Sequence, residues 1–200
     1  MGCGMALLHW RFTGHLLCAL TILETVGTLG LMIYALLVEA GNLVKLPNKH
    51  IGFFNFCLWN ETSRELQCLK VSHLQAMGIS WVGMTLARVC VYICPVITII
   101  YSIFLANTRC ADKVKGWIVL LIILIIEMLL LSAGLGMFLL QTSQWINASD
   151  FTGGFLALLG TLALILLQIL TVTMYISWAK HMNPCQRHFT RKALPIKIQK

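Results

Sequence analysis

Few side chains in this chain are suited to chemistry, and most of those sit where water is expected to be scarce. Cys57 and Cys68 have ten residues between them and are the only cysteines of the long polar segment 39–78. In an oxidising compartment they would form a disulfide, and otherwise they remain two thiols. Glu24, Arg88 and Glu127 interrupt runs that are otherwise apolar. An ionisable group inside hydrocarbon is costly, so each marks a functional or polar-contact site. In one reading Arg88 pairs with an acid and the three handle an ion. In the other, Arg88 sits at the interface and snorkels, while the acids are protonated or hydrogen-bonded between helices. The second is preferred, because the last two apolar runs offer almost no polar lining for a conducting path.

Other residues invite modification. Asn60-Glu61-Thr62 and Asn147-Ala148-Ser149 are N-glycosylation sequons. Cys110 and Cys185 lie among bases at the ends of apolar runs, a setting for reversible palmitoylation; otherwise they are reduced thiols. Gly2-Cys3 is a weak myristoylation signal, because Ala6 stands where Ser or Thr is preferred. Cys90 and Cys94 are four apart and read as packing residues. The six histidines show no metal-ligand spacing. There is no H-E-x-x-H, no G-x-S-x-G and no phosphate-binding glycine loop. The expectation is a protein without catalytic residues, cofactor or metal.

The elements that position these residues follow from composition. The chain is 58% hydrophobic and 11% charged over 200 residues, with a net charge of +8. A soluble domain has about 25% charged residues. Apolar runs at 16–38, 79–105, 117–140 and 155–178 are each long enough for a membrane-spanning helix, and none alternates as a barrel strand would. Pro95 is expected to bend the second helix. The first apolar run exceeds the roughly 7–15 residues of a signal-peptide core, so it is expected to be retained as a signal-anchor. Ser132-x-x-x-Gly136 and Gly153-x-x-x-Ala157 are small-residue patterns suited to close helix packing, within the bundle or between copies.

Charge sets the expected orientation. Arg11, Arg109, Lys113, Lys115 and the six bases of 180–200 fall on one side, ten in all, against Lys45, Lys49, Arg64 and Lys70 on the other. Positive residues remain in the cytoplasm. That puts 1–15, 106–116 and the basic tail 179–200 inside, and 39–78 and 141–154 outside. Glu39, Glu61, Glu65 and Asp150 cancel the outer bases, so the basic excess faces anionic inner-leaflet lipid rather than nucleic acid. Both sequons then lie outside. Ile51–Leu58 and Leu66–Val71 are expected to form paired strands stapled by Cys57–Cys68, a closure worth roughly 3 kcal/mol.

Gly52-Phe53-Phe54-x-x-Cys57, followed by Cys68, resembles the G-L-W-x-x-C…C signature of the claudin and peripheral-myelin-protein superfamily, and Arg88 resembles the arginine of its second helix. The resemblance implies an all-α membrane bundle of four helices with a small disulfide-stapled sheet in the first extracellular loop. Two features depart from it. Phe54 stands where Trp is expected, and Ile198-Gln199-Lys200 lacks the apolar last residue of a PDZ ligand. The scaffold therefore transfers, whereas tight-junction sealing and pore selectivity do not.

The function expected is a non-enzymatic scaffold that engages other membrane proteins through its outer loop and helix faces, at the plasma membrane or in the secretory pathway. An ion channel, transporter or auxiliary subunit built on Glu24, Glu127 and Arg88 is the first alternative; a lipid sensor built on the basic tail is the second. The topology is tested by N-glycosidase. Treatment is expected to increase the electrophoretic mobility of the wild-type protein but not that of the double variant Asn60→Gln/Asn147→Gln. A wild-type protein that is never glycosylated would remove this support for the orientation.

Overall fold

The computed structural model describes residues 2–61, 64–69, 71–76, 78–111, 114–147 and 150–192, with side chains for 14–61, 64–69, 73–76, 78–108, 115–147 and 150–180. Four long helices dominate: α1 (Gly2–Ile33), α3 (Trp81–Ala111), α4 (Val114–Thr142) and α5 (Gly153–Lys192). Each contains an apolar stretch long enough to cross a bilayer: Gly14–Val38, continuing past the end of α1, then Trp81–Thr108, Lys115–Thr142 and Gly153–Lys180. Helices satisfy their backbone groups internally, which hydrocarbon requires. The bundle also turns apolar side chains outward. Leu23, Val82, Leu129, Leu140 and Leu170 are each at least 60% exposed. An apolar surface of that extent is incompatible with water and suited to lipid. The protein is a multi-pass membrane protein.

α1 packs most extensively on α5, and α3 on α4, while the α4–α5 contact closes the ring and the α1–α3 contact is the slightest. Pro95 is accommodated inside α3. At the end of the bundle where α3 gives way to α4, Trp117, Tyr175 and Trp178 form an aromatic cluster, with ring centroids 4.0 and 5.6 Å apart. Amphipathic rings are favoured at that level of a membrane.

A four-stranded antiparallel sheet caps the opposite end in the order β1 (Asn42–Leu46), β2 (Lys49–Gly52), β3 (Phe56–Asn60), β4 (Glu65–Cys68). The helical path of α1 continues through a π-helical turn, Tyr34–Val38, before reversing into β1. Pro47-Asn48 forms the two-residue connection between β1 and β2, whose flanking residues Leu46 and Lys49 pair. Cys57 and Cys68 face each other across β3 and β4, and the disulfide joins them. A short helix, α2 (Val71–Ala76), leads on to α3.

The loop differs from the two strands expected. Ile51–Leu58 is not one strand. It breaks after Gly52, where the Gly52 amide donates to the Asn55 carbonyl and the chain turns before β3. The cause is Phe53, which leaves the sheet to bury against Phe138 and Tyr92 with ring centroids 5.0 and 6.2 Å away. The other half, Leu66–Val71, ends at Cys68 as a strand, and Val71 already belongs to α2. Gly52 permits the close approach of the start of β1, whose Asn42 pairs with it beside a register irregularity. A Cβ there would lie 2.5 Å from the Gly41 carbonyl oxygen and 2.8 Å from the Asn42 Cα.

Helix packing also falls elsewhere than Ser132-x-x-x-Gly136 implies. Ser132 is exposed, and a Cβ on Gly136 would meet nothing within 4 Å. The close contact is made by Gly134, where a Cβ would come within 2.7 Å of Val91 Cγ2 and 3.1 Å of the Ala87 carbonyl oxygen. Gly134→Leu is therefore expected to separate α3 from α4 and destabilise the protein by about 1–3 kcal/mol, whereas Gly136→Leu is tolerated. Unfolding of both variants in detergent checks this, and equal stabilities would contradict the packing.

Candidate functional site

Three contacts lock the sheet onto the bundle. On α3, Arg88 donates to the Phe53 carbonyl oxygen from Nε at 2.9 Å and from Nη2 at 2.6 Å. Its guanidinium also lies over the Phe54 ring, 4.2 Å from the centroid, with the Trp81 ring at 5.7 Å. On the sheet, Lys49 forms an ion pair with Asp150 and donates to the Trp145 carbonyl at 3.2 Å. The segment before α5 then adds to the β1 edge. Phe151 bridges to Val44, and Thr152 donates through its amide to Leu43 and through its hydroxyl to Asn42. The underside of the sheet, including Leu43, Val44, Ile51 and Phe56, is buried against this support.

A second constellation lies inside the bundle. Thr98 of α3 donates to Glu127 Oε1 of α4. Thr171 of α5 donates to Glu24 Oε1 of α1 at 3.1 Å, and Gln168 donates to Thr25 at 3.2 Å and reaches Thr28 at 3.5 Å. All these side chains are buried. Among the described residues, Glu24 Oε2 and the Tyr101 hydroxyl are buried without a hydrogen-bond partner. The acids are thus hydrogen-bonded between helices. Arg88 pairs with neither, since its partner is the Phe53 carbonyl in the loop.

Polar residues in the last helix were underestimated from sequence. Thr161, Gln168 and Thr171 of α5 are all buried. A signal was present in α1 as well. Thr21, Glu24, Thr25 and Thr28 recur at the spacing of one helical face, and all four are buried.

The chain matches the TM140 protein family over residues 10–187, nearly its whole length. It belongs to that family. The match covers the bundle, the sheet and both polar constellations of this TM140 protein, including the stretch from Tyr34 to Glu61 whose wording resembles transmembrane protein 140.

The remaining candidate residues of the TM140 protein are dispersed. Asn60 ends β3 and donates to Gln67 at 2.8 Å. Asn147 is exposed, with its amide on Asp150. Thr62, Ala148 and Ser149, which complete the sequons, lie outside the described residues, as do the side chains of Cys110 and Cys185 and the end of the basic tail. Cys94 is buried, and its thiol donates to the Cys90 carbonyl at 3.1 Å. Among the described residues, no cluster of His, Cys, Asp and Glu could hold a metal ion.

The Thr98–Glu127 contact is open to a direct test. Thr98→Val keeps the shape and removes the donor, with an expected loss of roughly 0.6–2 kcal/mol. Thr98→Ser is expected to recover most of that loss. Detergent unfolding in which Val and Ser variants match wild type would show that the contact carries no stability.

Proposed function

We propose that this TM140 protein is a non-enzymatic membrane scaffold of claudin-like architecture, with its sheet on the extracellular side and both termini in the cytoplasm. A disulfide-stapled four-stranded sheet on a four-helix bundle supports the claudin-like reading. The orientation rests on the distribution of bases and sequons. The basic tail adds attraction to anionic headgroups.

The observation that carries the scaffold reading is the asymmetry of the sheet. Its β1 edge is covered by Phe151 and Thr152, whereas among the described residues nothing pairs with the outer edge of β4, which is largely exposed. Beside it Trp59, 46% exposed, pairs with Leu66. A rigid edge with an exposed aromatic suits pairing with another membrane protein. Proximity labelling from the sheet end is expected to mark a reproducible set of membrane proteins, and Trp59→Ser with Leu66→Ser is expected to deplete it. A set that persists unchanged in the double variant would defeat the proposal.

A second reading, ion passage, is favoured by one observation: Glu24, Glu127 and their hydroxyl partners span all four long helices at the bundle core. Its test is flux into proteoliposomes, which should be present in wild type and absent in Glu127→Gln.

A further inference from the structure

A cleft between the sheet and α3 has no part in the proposed scaffold. It encloses about 280 Å³ and is walled by Phe54, Leu69, Leu74, Trp81, Met84 and Arg88. Its walls are mostly apolar and aromatic, with Arg88 the cation among them and Asn55 a polar neighbour. Phe54 and Trp81 are 55% and 38% exposed, so the cleft opens at the rim of the bundle.

Arg88 is incompletely satisfied there. A guanidinium has five N–H donors, and the two bonds to the Phe53 carbonyl use Nε and one N–H of Nη2. Among the described residues the ion pair is Lys49–Asp150, and no carboxylate lies within 4.0 Å of Arg88. Arg88 is half-buried, and a cation partly withdrawn from water without a counter-ion is costly.

Depth identifies the anion. The apolar stretch Trp81–Thr108 has 28 residues, a length of about 42 Å that matches a bilayer with its headgroups. Arg88 lies about 10 Å along the helix from Trp81, just inside the boundary between headgroups and hydrocarbon. The anions concentrated at that level are lipid phosphates. A free phosphate would have to exchange its hydration for aromatic walls, whereas a lipid brings an acyl chain that those walls accommodate.

We propose that this cleft binds one phospholipid from the leaflet at the sheet end. Its phosphodiester accepts hydrogen bonds from the remaining Arg88 N–H groups, and the upper part of one acyl chain lies against Phe54, Trp81 and Met84. Arginine suits this role because its planar fork matches phosphate oxygens. The same guanidinium holds Phe53, so the bound lipid bears directly on the seating of the sheet.

Native mass spectrometry of the full-length protein, purified in mild detergent, tests the proposal. The wild type is expected to retain one phospholipid through a delipidating wash. Arg88→Gln and Trp81→Ala are each expected to lower occupancy by about tenfold or more, the scale of a lost charge-assisted contact. An intact Cys57–Cys68 bond on a non-reducing gel reports folding. If Arg88→Gln does not fold, Trp81→Ala decides the matter, since its exposed ring does not hold the sheet. A wild type that retains no lipid, or a folded Trp81→Ala with wild-type occupancy, overturns the proposal. Excess inorganic phosphate should leave the lipid in place; displacement by it would overturn the assignment to a phospholipid.

Discussion

A guanidinium near the end of an apolar helix needs a partner that water does not supply, and the Phe53 carbonyl is that partner. The consequences run through the whole sheet end. To present its carbonyl, Phe53 leaves the strand direction, which ends β2 and lets β3 start afresh at Phe56. Its ring then fills the space between Tyr92 and Phe138, tying α3 to α4 beneath the sheet. Phe54, displaced by the same turn, covers the guanidinium. One charge on α3 thus determines where the loop descends, which ring is buried and which wall of the cleft exists.

The sheet is held from the other side by a different kind of contact. Lys49 and Asp150 belong to loops far apart in sequence, and their pairing brings the segment before α5 against β1. Phe151 and Thr152 then cover an edge that would otherwise expose unpaired backbone groups. Among the described residues β4 has no such cover, so the sheet has one closed and one open side. The disulfide joins that open strand to β3 and keeps its register. An edge that is both rigid and exposed is the physical basis for reading the sheet end as an interaction surface.

Inside the bundle the constraint is again polar. Apolar surfaces alone do not hold transmembrane helices in one register, because lipid tails compete equally well. Close contact at Gly134 and the bonds Thr98–Glu127 and Thr171–Glu24 supply what apolar packing lacks. Thr25 and Thr28 donate to the carbonyls four residues earlier in α1 and are free to accept from Gln168, so their hydroxyls join α1 to α5 without losing their own helix. Within the helices, Glu24 Oε2 and the hydroxyls of Thr85 and Tyr101 stand outside this pattern among the described residues.

The apolar runs and the pair of loop cysteines determined much by themselves. Hydrocarbon forces any long apolar segment into a helix, and two cysteines within one loop have few partners to choose from. A helical face was also legible at Thr21, Glu24, Thr25 and Thr28, since periodicity is local information. Tertiary structure decided the rest. Arg88 could equally have met an acid, because sequence does not say which of two distant groups lies within reach. The aromatic run Ile51–Leu58 read as one strand, because propensity ignores a carbonyl that a distant guanidinium requires. Gly136 and Gly134 are alike as residues, and only the rotation of α4 against α3 selects Gly134 for contact. Lys49 and Asp150 looked like cancelling charges until the fold brought them together. In each case the missing information was a distance between residues remote in the chain, which no local pattern encodes.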